Sequence, residues 1–464
     1  MSAVLDPTSV PSVTGPVTTR LTTWLPWASD VAVVAAMTWW AAWLTFGTGG
    51  REPHVLSYGA LLVAVAALLV RPWRVLRVRA TAIALAPGAG AWVVVLTAPT
   101  GWAGADDAAS YTYAGALGLV ALAWARTPVR RQLLATAVVG AAGLQLAMGW
   151  AAWSSVPSPS RLFQGTFYWH NQVGAFLAAG AVLAVALVAD GRRPLATLGW
   201  CLAPLCVAGT VFTTSRGSML GIAIGVALVL AAAACRLGTT AAIGSICRTI
   251  AVVALSWATS WVLTGPPFFG ERFSPLAATT ARNGSFEGNG VQRFEDWRRS
   301  WEIFRHWPAS GAGFNSFDSA TTAVTDKRDG VSTAFAHNGY LQAASDGGLV
   351  LVLPLVVALL ALALLAVRAL PASRRAGDLV QPGALAAYVV LLLHSGMDFD
   401  WTYPSLLAQA ALVGVLAVPS SAVRRRGAPP SRRVVVVAVV ALVGLLLLSA
   451  VGAWHGGLDL NSSL

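Results

Sequence analysis

The sequence predicts an all-α polytopic membrane protein with about 12–13 transmembrane helices. Three observations carry that expectation. Hydrophobic residues make up 56% of the 464 and charged residues only 11%, less than half the share of about 25% found in a soluble domain. Apolar runs close to the ~20 residues that a helix needs to cross a hydrocarbon core recur along the chain. Arginines gather in every second connection between those runs. Cytosolic enzymes, disordered chains and collagen-like repeats are excluded on composition alone.

The runs lie near residues 31–47, 55–70, 80–99, 112–126, 132–153, 172–189, 195–213, 217–235 and 247–264, then near 347–369, 380–396, 403–418 and 434–456. They are expected to be helical because lipid offers backbone polar groups no partner, and an alternating barrel pattern is absent. Arg71, Arg74, Arg77 and Arg79 follow the second run; Arg126, Arg130 and Arg131 the fourth; Arg192 and Arg193 the sixth; Arg236 and Arg248 the eighth. Arg368, Arg374 and Arg375 follow the tenth, and Arg424, Arg425, Arg426, Arg432 and Arg433 the twelfth. These loops are assigned to the cytoplasm, so the N-terminus is inside and an odd span count puts the C-terminus outside. The formal charge of +12 is then a topology signal and an attraction to anionic lipid, and no nucleic-acid partner is expected.

The chain divides accordingly. Residues 1–30 form a cytoplasmic tail with no apolar segment of the signal-peptide kind. Residues 31–264 carry nine spans, 265–346 a long outer loop with an interfacial helix, 347–456 four more spans, and 457–464 an outer tail. Cys201, Cys206, Cys235 and Cys247 fall in or beside spans without zinc spacing or an external disulfide pair, and read as small packing residues. No metal and no cofactor is expected.

With plain basic turns inside, unusual residues gather outside. The segment RLFQGTFYWHNQVGAF (161–176), the turn FTTSRGSML (212–220), the long loop and the turn HSGMDFDWTYP (394–404) stand out. Loops as long as 265–346 are usually functional or disordered. Its first part, 265–290, is Gly/Pro-rich and reads as irregular. Residues 291–307 have helical periodicity, with Phe294, Trp297, Trp301 and Phe304 on one face, Arg293 and Arg305 beside it, and Glu295, Asp296, Arg299 and Glu302 pointing away. Such a helix suits a bilayer surface, or else packs on its own loop outside the membrane. Pro308 ends it, and GAGFNSF (311–317) reads as a turn. Asn338 is placed to cap the helix leading into the tenth span, with His337 just before it, and His170 and Asn171 repeat that arrangement ahead of the sixth span. Arg216 sits between two apolar runs with almost no loop, where an arginine is costly unless it does something.

An arginine fork holds phosphate oxygens in two-pronged fashion and stays charged. A histidine can take a proton from an attacking hydroxyl. Two arginines, Arg216 and Arg293, with His337 nearby are equipment for transferring a sugar from a diphosphate leaving group. Trp153, Tyr168, Trp169, Trp401 and Tyr403 are candidates for stacking on sugars or for fixing the interface.

Ser215-Arg216-Gly217 between two spans, Arg293 to Trp297, His306 to Phe317, and the run from His337 to Leu349 together resemble the O-antigen ligase/polymerase superfamily of bacterial envelope glycosyltransferases, over roughly residues 160–410. The resemblance implies a C-type glycosyltransferase fold in the plasma membrane with its active site outside. It implies a polyprenyl (undecaprenyl) diphosphate-linked glycan as donor, and transfer without a metal. It makes His337, Arg216 and Arg293 the catalytic candidates, with Asn338, Tyr340, His170, Asn171, Asp398 and Asp400 as further substrate-binding candidates. Asp398 and Asp400 are placed to orient the acceptor or His337, or to cap a helix; His170 is not a hallmark of the superfamily. The acceptor is a glycan, a glycolipid or a protein. A transporter or flippase for lipid-linked glycan or a small anion is the alternative, although transporters place ionisable groups near the midplane, often in repeated halves, and here they collect on one side.

Overall fold

A computed structural model describes residues 17–154, 163–192, 194–272, 286–324, 334–375, 378–419, 422 and 431–462. Among them every apolar run becomes a helix and no strand occurs. The first half comprises α1 (Val17–Trp39), α2 (Pro53–Val70), α3 (Val78–Thr97), α4 (Ala105–Trp124), α5 (Pro128–Ser154), α6 (His170–Asp190), α7 (Leu195–Phe212), α8 (Arg216–Arg236) and α9 (Thr239–Arg272). The long loop contributes α10 (Phe286–His306) and α11 (Phe317–Val324). Then come α12 (Gly339–Arg375), α13 (Val380–Ser395), α14 (Pro404–Ala417) and α15 (Arg432–Ser462). Nine helical stretches among the described residues are long and apolar enough to cross a membrane, and α13 and α14 are shorter apolar helices. The protein is an all-α polytopic membrane protein.

Two helices lie at the centre because they are apolar all round. Helix α6 is buried almost throughout and packs against α5, α7, α8 and α13; α4 does the same against α2, α3, α14 and α15. Small residues permit the close approach on which helix packing in lipid depends. A side chain on Gly383 of α13 would put its Cβ 2.0 Å from that of Ala186 on α6.

The basic loops have a structural task at one end of this bundle. Arg131 donates to the carbonyls of Leu416 and Val418 at the end of α14, Arg248 to those of Val188 and Ala189 at the end of α6, and Arg236 to that of Leu370 in α12. Arg192 joins Asp190 to Asp378, 2.8 Å away, across the α6–α7 and α12–α13 connections. Cations at helix C-termini satisfy orphan carbonyls and oppose the negative dipole end. Arg193, Arg424, Arg425 and Arg426 lie outside the described residues.

Several boundaries differ from the sequence reading. Helix already runs from Val17 through the proposed N-terminal tail, and α15 continues to Ser462 through the C-terminal one. Helix α9 extends to Arg272 and α10 begins at Phe286, so 265–290 is not irregular throughout. Proline's fixed φ is itself a helical value, and Gly/Pro content alone therefore misplaced that end. Asp296 points away from the aromatic stripe, as expected, and into the protein. Asp296, Ser300 and Ile303 are fully buried along one edge, and Asp296 Oδ1 lies 3.5 Å from Arg299 Nη1. Helix α10 packs through that edge on α11 and α12, leaving Phe294 and Trp301 uncovered at 68% and 52% exposure.

The long loop is keyed into a break in α12. At Gly348 the backbone leaves the helix with φ +55° and ψ −155°. There the amides of Leu349 and Val350 donate to the carbonyls of Pro308 and Ala309 at 2.8 and 3.1 Å, while Ala312 and Gly313 donate to those of Ser345 and Asp346 at 2.8 and 2.9 Å. Gly311 and Gly313 also have positive φ, +67° and +99°, and a Cβ on Gly311 would stand 2.3 Å from the Asp346 carbonyl carbon. The turn expected at 311–317 thus locks α10 onto α12.

Candidate functional site

The start of α6, the start of α8, the middle of α10, the residue before α12 and the α13–α14 turn meet around a cavity of about 650 Å³. Each wall has a local reason for its position. Thr214 turns the chain with φ +55°, and Ser215 then caps α8 by accepting from the Ser218 amide at 3.4 Å. Arg216 is therefore the first helical residue and lines the cavity. The turn is held from α6, where His170 Nδ1 donates to the Thr213 carbonyl at 2.8 Å.

Arg293 enters from α10. It donates to the Met397 carbonyl, and its Nη2 lies 3.5 Å from Asp398 Oδ2. His337 has φ +48°, and sparsely populated backbone of this kind persists only where surroundings impose it. Here Trp297 Nε1 donates to the His337 carbonyl at 3.2 Å, and the imidazole packs edge-on against Phe399, whose ring stacks on Phe335 at 4.1 Å. His337 Nδ1 lies 3.5 Å from Asp398 Oδ1.

Asp398 joins these walls. Its Oδ2 also accepts from Asn171 Nδ2 at 2.7 Å, and Oδ1 from Gln172 Nε2 at 3.0 Å and from the Phe399 amide at 2.9 Å. Burial opposes charge there, yet the adjacent His337 ring, then Arg293 and His394, overcome it and hold the carboxyl well below the usual carboxylate range. Two residues on, burial pushes Asp400 above that range against the pull of His394. Environments that drive neighbouring carboxyls apart assign them different tasks.

Of the residues singled out in the sequence, Arg216, Arg293, His337, His170, Asn171 and Asp398 line the one cavity. The other three do not. Asn338 caps α12, with Oδ1 accepting from the amides of Tyr340 and Leu341 at 3.0 and 3.1 Å, and its Nδ2 donates to the Gly396 carbonyl at 2.9 Å. Tyr340 donates to the Leu392 carbonyl at 2.9 Å, and Asp400 is buried against His394. Asn338 and Tyr340 tie the start of α12 to α13 and its following turn, and Asp400 braces that turn from within. Asn171 is no cap either: helix α6 begins at His170, one residue before it, and no side chain caps it. Neither Asp398 nor Asp400 caps a helix. Trp401 and Tyr403 are buried, so they present no face to a sugar, whereas Tyr168 is 60% exposed and Trp169 lines the cavity. The Trp153 side chain lies outside the described residues.

Sequence reasoning missed His394, which also lines the cavity, and Gln172, which supports Asp398. The turn 394–404 was noticed, but a histidine six residues before an aspartate has no recognisable signature. Among the described residues no three His, Cys, Asp or Glu side chains converge to hold a metal. The cavity offers two guanidinium groups, a helix N-terminus and imidazoles, which suits an anion beside a proton acceptor.

Comparison with known proteins supplies a family. No curated protein matches the chain. Residues 201–356 match the family described as O-antigen ligase, a stretch that holds Arg216, Arg293 and His337. Within this polytopic membrane protein, residues 201–356 are thus similar to the O-antigen ligase family.

Proposed function

We propose that the protein transfers or polymerises a glycan from a polyprenyl diphosphate-linked donor onto an envelope acceptor at the outer face of the plasma membrane, without a metal and with inversion. The observation that supports this reading is the convergence of Arg216, Arg293 and His337 on one cavity. The two guanidinium groups clamp the diphosphate, and the N-terminus of α8 adds partial positive charge. The side chain of His337 faces Asp398 through Nδ1, which leaves Nε2 for the acceptor hydroxyl. That hydroxyl attacks the anomeric carbon and gives its proton to His337. The bond from that carbon to the diphosphate oxygen breaks, and the electron pair leaves on the diphosphate, where the arginines stabilise growing charge. A single displacement inverts the anomeric centre.

The test is incubation of purified protein with undecaprenyl diphosphate-linked glycan and candidate acceptors, following release of the lipid diphosphate. Arg216→Ala and His337→Ala should express normally and lose transfer. Transfer at the wild-type rate by both would remove the proposal. Transport is the weaker reading, because the guanidinium and imidazole groups gather in a cavity at one end of the bundle.

A further inference from the structure

The turn after α13 holds an imidazole–carboxyl pair that the transfer scheme leaves unused. His394 and Asp400 are both buried, with Nδ1 2.7 Å from Oδ2. Ser395 Oγ donates to the same oxygen at 3.1 Å, while Oδ1 has no hydrogen-bond partner among the described residues. A buried carboxylate so thinly supported keeps its charge only beside a cation, or else holds a proton. When the pair holds two protons, Nε2 carries one of them whether the charge is separated or not. When it holds one, on Nδ1, Nε2 is a bare acceptor.

Nε2 is also the atom turned to the cavity wall. It lies 3.5 Å from Ser215 Oγ, and a Cβ on Gly217 would stand 3.4 Å from it, so glycine lets the first turn of α8 close on the ring. We propose that the His394–Asp400 pair is a proton-switched third ligand for a pyrophosphoryl group, donating Nε2–H beside Arg216. The inference rests on reading the cavity as a diphosphate site.

The groups facing His394 from each side favour this role. Asp400 and Asp398 come from its own turn, Arg293 from α10 and His170 from α6, with Ser215 and Arg216 from the start of α8. Asp398 is already matched by Arg293 and His337. Asp400 is left for the imidazolium, and an anion entering beside Nε2 favours its proton further. Binding therefore takes up a proton, and affinity falls as pH rises through the titration of the pair.

The experiment measures geranyl diphosphate binding to the full chain in nanodiscs by titration calorimetry from pH about 6 to about 8.5, a range spanning histidine titration. The dissociation constant of wild type should rise about tenfold per pH unit above the pair's titration point. In His394→Gln, whose amide donates at every pH, that rise should vanish; Asp400→Asn should flatten it too. Calorimetry of wild type near pH 8, in two buffers of different ionisation enthalpy, should show net proton uptake and needs no variant. An unchanged slope in His394→Gln, or no proton uptake by wild type, overturns the inference while leaving the diphosphate site standing. If wild type binds neither geranyl diphosphate nor inorganic pyrophosphate at any pH, the reading beneath it falls as well.

Discussion

Replacing Asp398 by asparagine tests whether one carboxylate organises the site. Its oxygens are not equivalent. Oδ1 accepts from Gln172 and from the Phe399 amide and faces His337, whereas Oδ2 accepts from Asn171 and faces Arg293. An amide nitrogen meets fewer donors in the Oδ2 position and would settle there. It would then oppose Asn171 Nδ2 across 2.7 Å, losing a hydrogen bond to a charged acceptor, about 1.5–3 kcal/mol. Arg293 keeps 35% of its side chain accessible, so its pairing adds no more than ~1 kcal/mol. The expected loss is about 3 kcal/mol, read from unfolding of the purified protein by graded SDS in mixed micelles. Transfer should fall on the order of 100-fold as His337 and Arg293 lose their common anchor. Because Asp398 is held below its ordinary value in the folded protein, its stabilisation is present above pH about 4 and is lost only as pH falls toward the folded-state value; the variant should lack that acid sensitivity. A variant within about 0.5 kcal/mol of wild type, the range of inconsequential surface changes, would refute the anchoring role.

Other perturbations separate chemistry from scaffold. Gly348→Ala forces a Cβ to within 2.5 Å of the Ala309 carbonyl at positive φ and should destabilise by at least ~2 kcal/mol, seen as a lowered unfolding midpoint. Asn338→Ala removes the α12 cap and should cost about 1 kcal/mol; Asn338→Asp, which keeps the capping oxygen, should recover most of it in the same assay. Arg216→Lys keeps the charge but loses the fork, so initial rates should show most of the transfer activity gone. Transfer should continue in excess EDTA, because the arginines supply the charge that a metal otherwise would; abolition by EDTA with recovery on adding a divalent cation would count against the scheme.

The helices were legible because lipid makes hydropathy decisive: each apolar run had to satisfy its backbone internally. Arg216 stood out for a related reason, as a group too costly to sit idle between spans, and His337 by its place just before the Asn338 cap. The fit between α10 and α12 was not legible. It depends on amides freed at Gly348 finding the carbonyls of Pro308 and Ala309, a pairing that no periodicity announces. That Asp296 turns into the protein was not legible either, because the helical period shows which residues share a face but not what that face meets; Ser300 and Ile303 lie on the same buried edge. His394 was invisible because its significance lies in Asp400 and Ser215, the second of them 179 positions away.

The motifs behind the family resemblance divide between two tasks once their atoms are placed. His306 to Phe317 carries glycines that fit the α12 break, and Asn315, whose Nδ2 donates to Asp107 Oδ2 at 2.8 Å at the start of α4. None of its residues lines the cavity. Its effect is to fix the height and rotation of α10, and so where Arg293 emerges. Tyr340, within the run from His337 to Leu349, ties that run to α13, and Asn338 ties it to the α13–α14 turn. A guanidinium on a surface helix is thereby brought against a carboxylate 105 residues away, which the start of α6 holds from the opposite side. Loosening the loop at Gly348 should therefore cost transfer as well as stability, although Gly348 touches nothing in the cavity.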